Sequence, residues 1–219
     1  LGGDTTRTAK VGDIHAPVTI SITAMGELPQ SMGLTRSGAR PGDDIWVSGC
    51  VGGAWAALMH RWGKLTLDAR VFPAAALAMD RPNPRNALGT ALLSSATACA
   101  DISDGLAQDL GHILERSGVD ADVLWDAVPK HPALAALSQE QQVEAAMSGG
   151  DDYELVFTAP ADKRGLIEQA SISALTPVTR IGRIVEKKPS GAPLAIRDAS
   201  GRPLFLPVQG FDHFAQSAD

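Results

Sequence analysis

Cysteine is scarce in this sequence: only Cys50 and Cys99 occur, far apart and flanked by apolar or small residues. Such a pair argues against a disulfide framework, and both read as reduced core residues of a cytoplasmic protein. Long apolar runs are missing too. None reaches the ~18 residues that a membrane span needs, and no signal-peptide pattern is visible. No run of Lys or Arg occurs and the net charge is −6, which together argue against a nucleic-acid surface. Several chemical signatures are also lacking. There is no GxxxxGKS/T phosphate loop, no GxSxG elbow and no periodic repeat. The five histidines (His15, His60, His112, His131 and His213) show no metal-ligand spacing. His112 reads as a surface or packing residue.

What is present is a core and a set of acidic clusters. With 219 residues, 44% of them apolar, the chain can bury one large or two small domains. The stretch Asp101-Ile102-Ser103-Asp104-Gly105-Leu106 sets two carboxylates three residues apart at the start of an apolar-periodic run. Leu106, Leu110, Ile113 and Leu114 fall on one helical face, with Ser103 as the expected N-cap and Gly118 as the stop. Aspartate at a helix start is ordinarily just favourable dipole chemistry. Two further acidic clusters, however, follow Gly-Gly pairs: Gly2-Gly3-Asp4-Thr5-Thr6 and Gly149-Gly150-Asp151-Asp152-Tyr153-Glu154. Paired glycines let backbone approach a ligand closely, and aspartates are hard oxygen ligands suited to Mg²⁺ that also holds phosphate. Three such clusters suggest one composite, magnesium-dependent phosphate site.

Along the chain, alternation predicts a strand over Pro17–Leu28 with Val18, Ile20 and Ile22 on one face. A connection rich in glycine and proline follows, and in it Arg36 sits in a small-residue loop, either as a bidentate phosphate clamp or as an ordinary solvated arginine. Asp44–Ser48 reads as a strand, Gly49–Trp62 as a glycine-rich turn into a helix, and Asp68–Met79 as a helix. Arg81–Arg85 breaks the chain with two prolines. A helix over Asn86–Ser94 and a strand over Thr97–Ala100 lead into the Asp101 cluster. Beyond Gly118, strands are expected at Ala121–Leu124, Leu155–Thr158 and Val178–Ile184, and helices at Gln139–Met147 and Asp162–Ala170. A turn and a proline-punctuated helix fall within Trp125–Leu137. This alternation makes the chain an α/β or α+β protein, and α+β is the class adopted.

The stretches GGDTT, LTRSGARPGD, RPNPR, DISDGLAQDLGHI, SGGDDYELVFT and GFDHF, in this order from Gly2 to Phe214, resemble the thiamine-monophosphate kinase family. That family belongs to the aminoimidazole-ribonucleotide synthetase superfamily. The resemblance implies ATP-dependent phosphorylation of thiamine monophosphate, Mg²⁺, a cytoplasmic location and a homodimer formed through an N-terminal β-barrel half. It divides the chain into a remnant of the N-terminal domain (1–30), a linker (31–43) and a layered C-terminal domain (44–219). Roughly a hundred further residues would precede the first motif, the size of a small domain.

Residue by residue, the resemblance implies that Gly3 and Asp4 contact ATP and metal, and that Arg36 clamps a phosphate. It makes Asp101 and Asp104 metal ligands, Ser103 an ATP contact, Asp152 a substrate contact and Phe211 a neighbour of the thiamine ring. No covalent nucleophile is expected. Two other readings stay open: a sister enzyme of the superfamily, such as a selenophosphate synthetase or a hydrogenase-maturation protein, and a chain that binds nucleotide without catalysis.

Overall fold

The computed structural model describes residues 33–204 continuously, together with residues 10–11, 14–15, 22–23, 25 and 27–28. It divides into two units, Leu1–Ser31 and Met32–Asp219. In the first, β1 (Lys10–Val11) and β2 (Ile14–His15) pair antiparallel with Lys10 opposite His15. The strand expected over Pro17–Leu28 is not found where it is described: Ile22, Thr23, Met25, Glu27 and Leu28 lie outside any strand. Ile22 is 87% and Met25 96% exposed. Alternation marks a strand only where a second strand completes its ladder, and none is described against these residues. The rest of that stretch lies outside the described residues.

The second unit is built on a six-stranded sheet in the order β4-β6-β3-β7-β5-β8. Its strands are β3 (Asp44–Ser48), β4 (Ala98–Asp101), β5 (Asp120–Leu124), β6 (Leu155–Ala159), β7 (Val178–Val185) and β8 (Leu194–Arg197). Every pairing is antiparallel except β5 with β8. The helices are α1 (Gly53–Arg61), α2 (Phe72–Asp80), α3 (Asn86–Leu92), α4 (Leu106–Ser117), α5 (Gln139–Ser148) and α6 (Arg164–Ser173). An antiparallel sheet carrying separate helices is an α+β fold, as expected.

β3 lies inside the sheet and is buried on both faces. Ile45 and Val47 point into the main core with Leu106, Leu110, Ile113 and Leu114 of α4 and Val143 and Met147 of α5. Trp46 faces the other way, against Phe157, Leu88 and Leu92 of α3 and Ile167 of α6. Each large apolar side chain so buried contributes about 1.5–3 kcal/mol.

Local chemistry explains most element ends. Ser138 caps α5 through a reciprocal capping box with Gln141. Gly118 ends α4 in the left-handed conformation at φ 69°. α2 starts four residues later than expected, because Asp68–Arg70 forms its own turn and Pro73 fills the first helical turn. β8 has no clear sequence signal: it is a four-residue edge strand in a polar stretch.

Residues 33–43 lie on this unit. The Cys99 amide donates to the Thr35 carbonyl at 2.8 Å, so this segment covers the outer edge of β4. Ala39 and Asp43 are buried.

Candidate active site

Two of the three acidic clusters are brought together by the β4–β6 pairing. Asp101 sits opposite Leu155 at the end of the ladder, and hydrogen bonding continues past it. The Ile102 amide donates to the Glu154 carbonyl at 2.7 Å, Tyr153 N–H to the Ile102 carbonyl at 2.8 Å, and Asp151 N–H to the Ser103 carbonyl at 2.9 Å. The two loops then interlock through their glycines. A Cβ on Gly150 (φ 66°) would stand 2.5 Å from the Ser103 carbonyl oxygen, and one on Gly105 (φ 115°) 2.8 Å from that of Met147. Side chains larger than hydrogen would push the loops apart. Asp151 and Tyr153 hold left-handed backbone at φ 58° and 50°. Non-glycine residues adopt it at a cost that packing must offset.

This backbone aims several carboxylates into one mouth. The Tyr153 hydroxyl donates to Asp151 Oδ1 at 3.2 Å. Its phenol is pushed above the ordinary range by burial, then by the carboxylates of Asp151, Asp101 and Asp104 around it. Asp101 and Asp151 are exposed, and Asp104 is half-buried. Gln108 of α4 donates to Asp104 Oδ2 at 3.3 Å.

The expected cap of α4 is replaced. Gly105, not Ser103, occupies the N-cap position, with no side-chain cap. The buried Asp109 reaches back from the first turn instead, and its Oδ2 accepts from the amides of Ser103 and Asp104 at 2.9 and 3.0 Å. Burial raises the Asp109 pKa; the two amides lower it, and nearby Asp104 and Asp101 raise it further. Asp104, Asp109 and His112 bring potential ligand atoms within 4.8 Å of one another. His112 therefore joins two carboxylates, although sequence spacing alone showed nothing of the kind. Asp101 and Asp151 are exposed beside this group and carry the hard carboxylate oxygens that a cation such as Mg²⁺ takes.

Behind the mouth lies a polar network that sequence reasoning missed. Glu154 is buried and held by Arg85 at two points, Nε to Oε2 at 2.7 Å and Nη2 to Oε1 at 2.5 Å. Ser48 Oγ donates to Glu154 Oε2 at 2.5 Å and accepts from the Leu155 amide at 2.8 Å. Arg85 closes the RPNPR break. Its signal in the sequence was a lone arginine after two prolines, with no hint of its distant partner.

Asp152 has a different environment from Asp151. Both its oxygens accept from the Gly52 amide at 2.9 Å, at the N-terminus of α1. The glycine-rich turn before α1 packs closely, a Cβ on Gly52 standing 2.6 Å from Leu134 Cδ1, and the amide it presents at the helix start is taken by the chain's own Asp152. Burial, more than the charges of Glu154 and Asp151, raises the Asp152 pKa to about 7 against the bonds from Gly52 and Ala54. Cys50, beside Glu154 and Asp152, is pushed to about 11 by burial and by those carboxylates. It stays a thiol at neutral pH. Both cysteines are free and half-buried.

Arg36 is exposed on the loop along β4, where its carbonyl accepts from Ser117 Oγ at 3.3 Å. Its side chain has no partner among the described residues. Gly3, Asp4 and Phe211 lie outside the described residues. Among the described residues no helix is long and apolar enough to cross a membrane.

The family described as AIR synthase related protein, C-terminal domain, matches residues 40–193. Thiamine-monophosphate kinase of Salmonella typhimurium (strain LT2) is 38% identical over 220 residues, covering 98% of this chain and 63% of that protein. The enzyme of the same name from Haemophilus influenzae is 38% identical, covering 99% and 64%. The chain thus spans less than two thirds of these curated relatives. Among solved structures, the thiamine-monophosphate kinase of Stenotrophomonas maltophilia K279a superposes with a TM-score of 0.70 at 40% identity, covering 77% of this chain and 54% of that one. AaThiL complexed with AMPPCP and TMP gives 0.65 at 28% identity, covering 83% and 54%. A hydrogenase maturation protein, HypE, gives 0.62 at 18% identity, covering 88% and 60%, a likeness of fold alone.

Proposed function

Because the chain belongs to the AIR synthase related protein family, we propose that its acidic mouth is the phosphoryl-transfer site of a thiamine-monophosphate kinase. The reaction moves the terminal phosphoryl group of ATP onto the phosphate of thiamine monophosphate, giving thiamine diphosphate. The observation that carries this reading is the interlock of the Asp101–Gly105 and Gly149–Glu154 loops, which gathers Asp101, Asp104 and Asp151 around the Tyr153 phenol. The relatives' shared name and the solved complex with an ATP analogue and TMP support it.

The chemistry needs positioning and charge neutralisation rather than a nucleophilic side chain. The acceptor phosphate is already anionic at neutral pH, so little general-base help is required. Repulsion between donor and acceptor is the main obstacle; Asp4, Asp101 and Asp104 would hold Mg²⁺, which would supply the offsetting positive charge. Ser103 and Gly3 contact ATP, and Arg36 clamps a phosphate bidentately. Asp152, bonded to the Gly52 amide, is the substrate contact, and Phe211 lies against the thiamine ring. Glu154, Arg85 and Ser48 position the Asp151 loop. The protein works in the cytoplasm as a homodimer.

The test is a substrate panel with ATP and Mg²⁺ on the protein at its full natural length. Thiamine diphosphate should form from thiamine monophosphate, and Asp104→Asn should lower that rate at least tenfold with an unchanged circular dichroism spectrum. Phosphorylation or activation of a different acceptor only would favour a sister enzyme and reject this assignment.

A further inference from the structure

At the opposite end of β3 from Ser48, a register shift between Ile45 and Trp46 interrupts the ladder with β7. Strict alternation would send residues three apart to opposite faces. Past the shift, Ile181 and Ile184 both enter the core, and Arg180 and Arg183 both stand exposed on the other face. α3 and α6 cover that face over Trp46, Phe157 and Ala159. Beyond their cover, the β7-β5-β8 half of the sheet lines an open cavity of about 720 Å³. Arg164 of α6 and Arg197 of β8 also line it, so arginines reach it from two strands and a helix.

The charges in this cavity do not cancel. Arg164 holds the buried Asp44 at two points, Nε to Oδ2 at 2.6 Å and Nη2 to Oδ1 at 2.9 Å, and Arg180 adds only a 3.3 Å contact to the same carboxylate. Asp122 has Lys188 at 4.0 Å and Asp198 has Arg202 at 3.0 Å, both partners outside the cavity wall. Arg183 has no carboxylate partner among the described residues. Among the described residues, four arginines in the wall face three aspartates, Asp44, Asp122 and Asp198, which leaves a surplus of positive charge.

We propose that this cavity is a second anion site, separate from the acidic mouth, that takes a diphosphate group. Guanidinium forks match phosphate oxygens bidentately, and several forks set across neighbouring strands suit an anion with more than one phosphate. β7 and β8 flank β5, so their backbones lie about 10 Å apart at the usual strand spacing, within reach of two arginines converging on one diphosphate. Among the described residues no aromatic side chain lines the cavity, so they offer a base no ring to stack on. From Asp44 to Ser48 the strand covers about 13 Å, which keeps this site clear of the acidic mouth.

Calorimetric titration of inorganic diphosphate into the 219-residue chain, in EDTA and at low ionic strength, tests the proposal. Wild type should bind one equivalent, and Asp101→Asn/Asp104→Asn should bind it as well. Arg180→Ala/Arg183→Ala should bind about tenfold more weakly or worse, as expected for losing charge-assisted contacts. Arg164 still holds Asp44 in that variant, so its thermal melt should match wild type; if it does not, Arg183→Gln alone carries the same readout. Absence of binding to wild type, equal affinity for orthophosphate, or undiminished binding by the arginine variants would overturn the proposal. So would loss of binding in the Asp101/Asp104 variant alone, because it would place the ligand at the acidic mouth.

Discussion

Arg85 grips Glu154 at both carboxylate oxygens, with only 16% and 8% of the two side chains exposed. This pair ties the RPNPR break to the loop that carries Asp151, and Ser48 shares the same carboxylate. Removing one partner leaves a buried charge uncompensated, which typically costs about 3–5 kcal/mol. Arg85→Ala should therefore lower the free energy of unfolding by roughly that amount. Arg85→Ala/Glu154→Gln should recover part of it. Urea denaturation of both variants checks this; simple additivity with Glu154→Gln would show that the pair is not energetically coupled.

Gly150 and Ser103 make a second such relationship, through backbone. Gly150→Ala would combine a positive φ of 66° with a Cβ 2.5 Å from the Ser103 carbonyl. A loss of about 2 kcal/mol or more is expected from the strain and the displaced loop. Amide exchange should report it locally, as faster exchange at Asp151 and Tyr153, whose amides bond across the interlock. Unchanged protection there would mean the loops tolerate separation.

Much of this geometry was legible in the sequence. The apolar period of α4, the glycine at its end and the two acidic loops all follow from local rules that the fold respects. The pairing of those loops was readable only as an idea of convergence, since register between β4 and β6 depends on the whole sheet. Arg85 and Glu154 escaped because a long-range ion pair leaves no periodic trace. Ser103 was a reasonable cap by residue type, but Asp109 supplies the acceptor from inside the helix, and Ser103 stays in the loop. β8 escaped because four edge residues carry too little pattern to distinguish them from a turn.

Arg36 offers a clean separation of binding from stability. It is exposed, and its described contact runs through its backbone carbonyl, so Arg36→Lys should change the unfolding free energy by less than about 0.5 kcal/mol. If it clamps a donor phosphate in the full-length protein, the same variant should raise the KM for ATP several-fold, because lysine lacks the bidentate fork. Identical steady-state kinetics would return it to the role of a solvated loop residue.

Asp152 should make stability depend on pH in an unusual direction. Its folded pKa is about 7, above the ordinary value of 3.8, chiefly because burial disfavours the carboxylate. Between those values the folded protein holds a proton that the unfolded chain has released. Stability from this group is therefore fully present below about pH 4, is lost as pH rises towards 7, and is flat above. Asp44 and Asp198, whose pKa values are lowered, act oppositely and lose stability as pH falls. The sign for Asp152 must thus be read against a variant and not from the raw curve. Asp152→Asn keeps an oxygen for the Gly52 amide and cannot ionise, so it mimics the protonated state. Urea midpoints of the two proteins, measured between about pH 4.5 and 8, should diverge in favour of the variant as pH rises. A tenfold difference in proton affinity between folded and unfolded chain is worth about 1.4 kcal/mol, so a divergence of roughly 2 kcal/mol or more is expected. Parallel curves would mean that the Gly52 and Ala54 amides hold Asp152 ionised throughout, and that the charge at the start of α1 is permanent.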